Sequence, residues 1–341
     1  MGSAAMVRGG GLRLPAPVAV GLGLGALVAT VAAALVLGGT RVPLADAASA
    51  LFAFDGSRAH VIVVEVRLPR ALLAIVVGAG LGVAGALMQA VTGNPLAEPS
   101  ILGISWGAAL VAVAAQSAIG IDTTAGLVPF ALLGAAAAGL VVVALGSAGG
   151  AGLTPERLIV AGAAMSGLLA ALVQGMLVLD RESLEAARHW LAGSLSGRGF
   201  DVLTATLPYQ VAGLLVTAAL ARPLGALALG DDVARALGQR VATVKLGAAL
   251  AVILLAGSAV AAAGPIVLVG LAVPHIARHV VGRELARLLP TCALLGGLLV
   301  LVADICARLV LAPEELPVGV MTAVLGAPIL LHVARRGMGP R

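Results

Sequence analysis

LGAALAVILLAGSAVAAAGPIVLVGLAVPHIA, residues Leu246 to Ala277, contains no Asp, Glu, Lys or Arg. A helix crosses the hydrocarbon core of a bilayer with about 20 apolar residues, so this run overshoots a single span. Gly264-Pro265 divides it, because proline lacks a backbone donor and its ring clashes with the preceding helical turn. The stretch therefore reads as two membrane-embedded helices with a break between them.

The same pattern recurs in both directions. Residues 14–40, 71–97, 99–121, 123–155, 158–179, 202–221 and 316–334 are also free of ionic side chains. Of the 341 residues, 60% are hydrophobic and 11% charged, above the apolar share and below the charged share of a soluble globular domain. The expected fold class is all-α, a polytopic membrane protein. About ten spans are expected, over 18–38, 71–91, 100–116, 126–148, 157–179, 202–221, 243–263, 265–281, 290–311 and 317–334. The chain reads as a single transmembrane unit over 1–341, with its first apolar run longer than a signal-peptide core and so retained.

An even number of spans puts both termini on one side. The ends and the even-numbered loops carry 13 of the 21 Lys and Arg residues, and basic loops stay in the cytoplasm. The net charge of +5 is thereby assigned to orientation rather than to nucleic acid, whose binders cluster basic residues with aromatics on an exposed domain. Cys292 and Cys306 lie in one apolar stretch, about 21 Å apart along a helix, and cannot pair within it.

Several segments carry function. Arg222–Arg240 is broken by Pro223, Gly225 and Gly230 and holds a short helix after Gly230, with Asp231 or Asp232 as its cap, Leu237 at its end and Gly238 as terminator. Such a short helix is unstable alone; Arg235 and Arg240 are available to a partner, or the loop is simply solvated. Pro69, between Arg67 and Arg70, marks the expected start of the second span, since proline suits the first helical turn. Arg308, near the outer end of the ninth span, adds a cation there. These arginines either anchor at the interface or receive carboxylates from an external protein. Thr92–Pro99 breaks two apolar helices and is a candidate constriction or a plain turn. Asp304, a lone carboxylate within a span, is expected to pair with Arg308 four residues on.

Some chemistry is missing. Lys245, the only lysine, lacks the upstream glycines of a phosphate loop, and there is no HExxH motif. A secondary transporter would place several ionisable groups near mid-membrane, where this chain offers Asp304.

From Glu65 to Arg335 the chain resembles the permease family of ABC importers for iron-siderophores, haem and cobalamin. The resemblance is carried by Arg67-Leu68-Pro69-Arg70, GALMQAVTGNPLAEPSILGIS (Gly85–Ser105), LGDDVARALG (Leu229–Gly238), GPIVLVGLAVPHIAR (Gly264–Arg278) and ADICARLVLAPEELPVGVMTAVLGAPILL (Ala303–Leu331). It implies the type II importer architecture and a homodimer, or a heterodimer with a like subunit. It also implies two cytoplasmic ATPase subunits that bind ATP and Mg, and an external substrate-binding protein, with no cofactor or metal in this chain. By similarity Arg67, Arg70 and Arg308 meet the binding protein, and Asn94, Leu96, Thr154 and Pro155 line an inner gate. Gly230, Asp231, Asp232, Arg235, Leu237, Gly238 and Arg240 couple to the ATPase. Pro155 and Glu156 stand where the family often has small hydroxyl residues. The cargo implied is a metal chelate: ferric siderophore, haem or cobalamin.

Overall fold

The computed structural model describes residues 15–121, 123–147, 155–179, 190–227 and 230–337. Among them the secondary structure is entirely helical. In chain order the helices are α1 (Ala16–Val36), α2 (Leu44–Phe52), α3 (Arg58–Thr92), α4 (Ile104–Ile119), α5 (Thr124–Ser147), α6 (Pro155–Leu179) and α7 (Phe200–Leu227). There follow α8 (Asp231–Ala236), α9 (Val241–Ala263), α10 (Val269–Val281), α11 (Leu285–Val310) and α12 (Val318–Gly337). Seven are long and apolar enough to cross a membrane, and three shorter apolar ones accompany them. The expected polytopic bundle is therefore present.

Helix α3 is the hub, packing against α11, α9, α10 and α7. It and α9 are buried around most of their circumference, while α1 and α6 leave most of theirs open. Exposed aliphatic side chains stand on α1 (Leu22, Val28), α5 (Leu133, Leu140), α6 (Val160, Leu168) and α7 (Leu215), apolar surface of the kind that lipid or a neighbouring protein covers. Close approach at the hub depends on glycine. A Cβ on Gly78 would collide with the carbonyl of Gly296 on α11, and one on Gly85 with the backbone of Gly270 on α10. Missing side chains thus set these helix distances.

One expectation is corrected. The second span does not start at Pro69: α3 is continuous from Arg58, 35 residues in all. Ser57 caps it, its Oγ accepting from the His60 N–H, and a π-helical stretch, Ile62–Arg67, precedes the proline. The wider turn accommodates a residue that cannot donate, so Arg67 and Arg70 lie within a helix. Helix α4 has 16 residues and α10 has 13, short for a 30 Å core at 1.5 Å per residue, as the expected 100–116 and 265–281 already were. Non-helical chain, residues 93–98 and 264–268, lies ahead of each of them. The division at Gly264-Pro265 holds: α9 stops at Ala263, and Gly264 adopts φ 72°.

Candidate functional site

Helix α1 ends at Val36, leaving its last carbonyls without helical donors. Two guanidiniums from elsewhere occupy them. Arg67 Nη1 donates to the carbonyls of Leu35 (2.7 Å) and Val36 (2.9 Å), and its Nη2 to that of Thr40. Arg308 Nη1 donates to Ala34 (3.1 Å) and Leu37 (3.2 Å). Cations at a helix C-terminus also meet the negative end of its dipole.

Arg308 belongs at the same time to a buried charge cluster. Its Nη2 lies 3.1 Å from Asp304 Oδ2, and Arg70 Nε donates to Asp304 Oδ1 at 2.8 Å. Arg70 Nη1 reaches Glu315 Oε2 at 2.7 Å. Asp304 is fully buried, and Arg67, Arg70 and Arg308 are 6%, 6% and 4% exposed. Burial disfavours charge on Glu315, but the hydrogen bond and positive charge of Arg70 outweigh it and hold the carboxyl below its usual range. The cluster ties α3, α11 and the 311–317 loop together. The expected Asp304–Arg308 pair is present, and Arg67, Arg70 and Arg308, placed with the binding protein by resemblance, are buried with bonds to α1 carbonyls, Asp304 and Glu315. Most of their donors are engaged inside the chain by α1 carbonyls and carboxylates.

On the break between α3 and α4, Asn94 closes an Asx turn, its Oδ1 accepting from the Leu96 N–H at 2.9 Å. The turn leaves the Leu96 side chain exposed. Beyond it, Glu98 Oε1 accepts from the N–H of Leu268 at 2.8 Å. Leu268 precedes α10 with φ 70°, the sole non-glycine residue of positive φ among the described residues. A carboxylate at a helix N-terminus is favourable, and here it also binds the strained residue and joins the two breaks. Gln89 completes the seam: it donates to the Gly270 carbonyl at 3.4 Å and accepts from Arg278 at 2.6 Å. Of the other expected gate residues, Pro155 opens α6 and Thr154 lies outside the described residues.

Helix α8 occupies the expected short-helix position, with one difference at its start. Gly230, φ 111°, is the N-cap, and Asp231 and Asp232 fill the first turn without capping it. They serve the dipole instead. Gly238, φ 80°, ends the helix as expected. Asp231 accepts from Lys245 of α9 at 2.7 Å, and Arg235 from the next turn reaches Asp232 at 2.8 Å. Lys245 thus fastens α8 to the adjoining span. Val233 in the six-residue helix and Leu237 at its C-cap point away, 44% and 64% exposed, and form an apolar knob. Arg240 precedes α9 and is exposed.

Sequence reasoning passed over Glu98, Glu315, Gln89 and Lys245. Glu98 had a readable signal, a lone carboxylate inside an apolar run between Pro95 and Pro99. The partners of the other three lie on distant segments and left none.

Comparison with known proteins agrees with this architecture. The FecCD transport family matches residues 26–336. The chain is 46% identical to the probable siderophore transport system permease YfiZ of Bacillus subtilis, over 91% of this chain and 93% of that protein. It is 40% identical to the ferric enterobactin transport system permease FepD of Escherichia coli, covering 91% and 92% respectively. A metal-chelate type ABC transporter solved in an inward-facing conformation superimposes with a TM-score of 0.81 at 28% identity, covering 94% of this chain and 99% of the other. A continuous match on this scale, over a helical bundle of the same shape, makes this chain a member of the FecCD transport family.

Proposed function

We propose that this chain is the membrane-spanning permease subunit of an ATP-driven importer that carries a ferric siderophore across the cytoplasmic membrane by alternating access. The observation that carries the reading is the 46% identity, over 91% of the chain, to a siderophore transport permease. The exposed Val233 and Leu237 on α8, held to α9 by Lys245 and Asp231, supply a surface for the energy source. On this reading two cytoplasmic ATPase subunits bind ATP and Mg and seat the residues from Gly230 to Arg240. This chain, paired with a like permease, performs no covalent chemistry. Both termini lie in the cytoplasm, and Asn94, Leu96, Thr154 and Pro155 narrow the inner end of the path.

An external binding protein docks on the opposite face. Arg67, Arg70 and Arg308 act there by fixing the end of α1 and the 311–317 loop, rather than by meeting the partner's carboxylates in the open. Their loss is consequently expected to weaken the fold along with docking.

Uptake of radio-iron-labelled siderophore by proteoliposomes holding the complete complex tests the function. It should require internal ATP and the binding protein, and Leu237→Asp should abolish it by placing an unpaired charge on the knob. Uptake without ATP that collapses with the proton gradient would instead support a secondary transporter. Haem or cobalamin carried in place of the siderophore would keep the mechanism and change the cargo.

A further inference from the structure

On the face that carries α8, the ends of α3, α5 and α6 and the first half of α9 enclose a cavity of about 720 Å³, a size that buries small ligands. Its depth is apolar, lined by Leu87, Met88, Leu102, Leu158 and Val252, and its mouth holds Gln239, Arg240 and Lys245. From Arg240 to Val252 the chain rises about 18 Å, against about 15 Å for one leaflet's half of the hydrocarbon core. The cavity thus runs from the headgroup level to mid-membrane. Its wall is open on the side of Leu246, which is 62% exposed.

The polar groups at the mouth are unequally occupied. Lys245 is neutralised by Asp231 at 2.7 Å and Arg235 by Asp232 at 2.8 Å. The Arg240 guanidinium, exposed at the mouth, has no hydrogen bond or ion pair among the described residues. A ligand that satisfies it brings an anion for Arg240. An apolar tail must fill the depth. A free phosphate would leave that depth empty, whereas basic pockets between helices at the membrane surface take lipid headgroups.

We propose that this cavity is a site for an anionic phospholipid, with its phosphate on Arg240 and one acyl chain along α9 toward Val252. The occupant would lie beneath α8, between α9 and the ends of α5 and α6. Only the identity of the leaflet rests on the importer reading; binding itself does not.

Native mass spectrometry of the full-length chain, released from nanodiscs of equal phosphatidylglycerol and phosphatidylcholine, tests the site without any transport assay. The wild type should retain phosphatidylglycerol preferentially. Arg240→Gln should cut that preference about five-fold with the melting temperature unchanged, and millimolar inorganic phosphate should not displace the lipid. Ala249→Trp, which fills the cavity, should lower retention of both lipids. Equal retention of the two lipids by the wild type, an undiminished preference in Arg240→Gln, or displacement by phosphate would each overturn the proposal.

Discussion

Asp304 stands fully buried between Arg70 and Arg308. Removing one member of a buried ion cluster leaves its partners uncompensated and costs about 3–5 kcal/mol. Asp304→Ala should therefore lower unfolding stability in detergent by that order, or abolish folded yield. Arg235→Ala, on an exposed pair, should cost less than about 1 kcal/mol. Glu315 adds a pH dependence. Its native pKa is lower than its ordinary 4.5, so its contribution is complete above that value and disappears as pH falls through the native one. Glu315→Gln should flatten the acid side of the stability profile near that range. The Asp304–Arg308 contact was legible because residues four apart share a helix face. The Arg70 contact, 234 residues away in sequence, depends on how α3 meets α11 and could not be read from spacing.

Among the elements, the α3 contacts with α10 and α11 are backbone-close. Gly85→Leu would drive a side chain into Gly270, so a loss of about 1–3 kcal/mol or more is expected from overpacking. Gly25→Leu, which meets open space on α1, should be neutral, and thermal unfolding of both variants checks the contrast. Apolar run lengths and the Gly264-Pro265 break made most helices readable. The start of α3 was misread at Pro69, because a π turn that admits proline has no sequence signal comparable to a cap. The short α4 was expected from the 100–116 run, whereas the extended chain before α10 was hidden. Charge-free sequence looks the same whether it is helical or extended at membrane depth, and only the Glu98 bond to Leu268 reveals that the two breaks support each other.

For the molecule as a whole, the membrane class and the family were legible from composition and from long motifs in order. The ionic cluster and the α9 cavity were not, since both arise where distant segments converge. Everything proposed about energy supply depends on α8 facing the cytoplasm. With Cys292 and Cys306 replaced by alanine, Leu237→Cys places one thiol on the exposed side of α8. A membrane-impermeant maleimide should label it in inside-out vesicles and leave it unmodified in intact spheroplasts. Labelling in intact spheroplasts, with none in inside-out vesicles, would put α8 outside the cell and contradict the account.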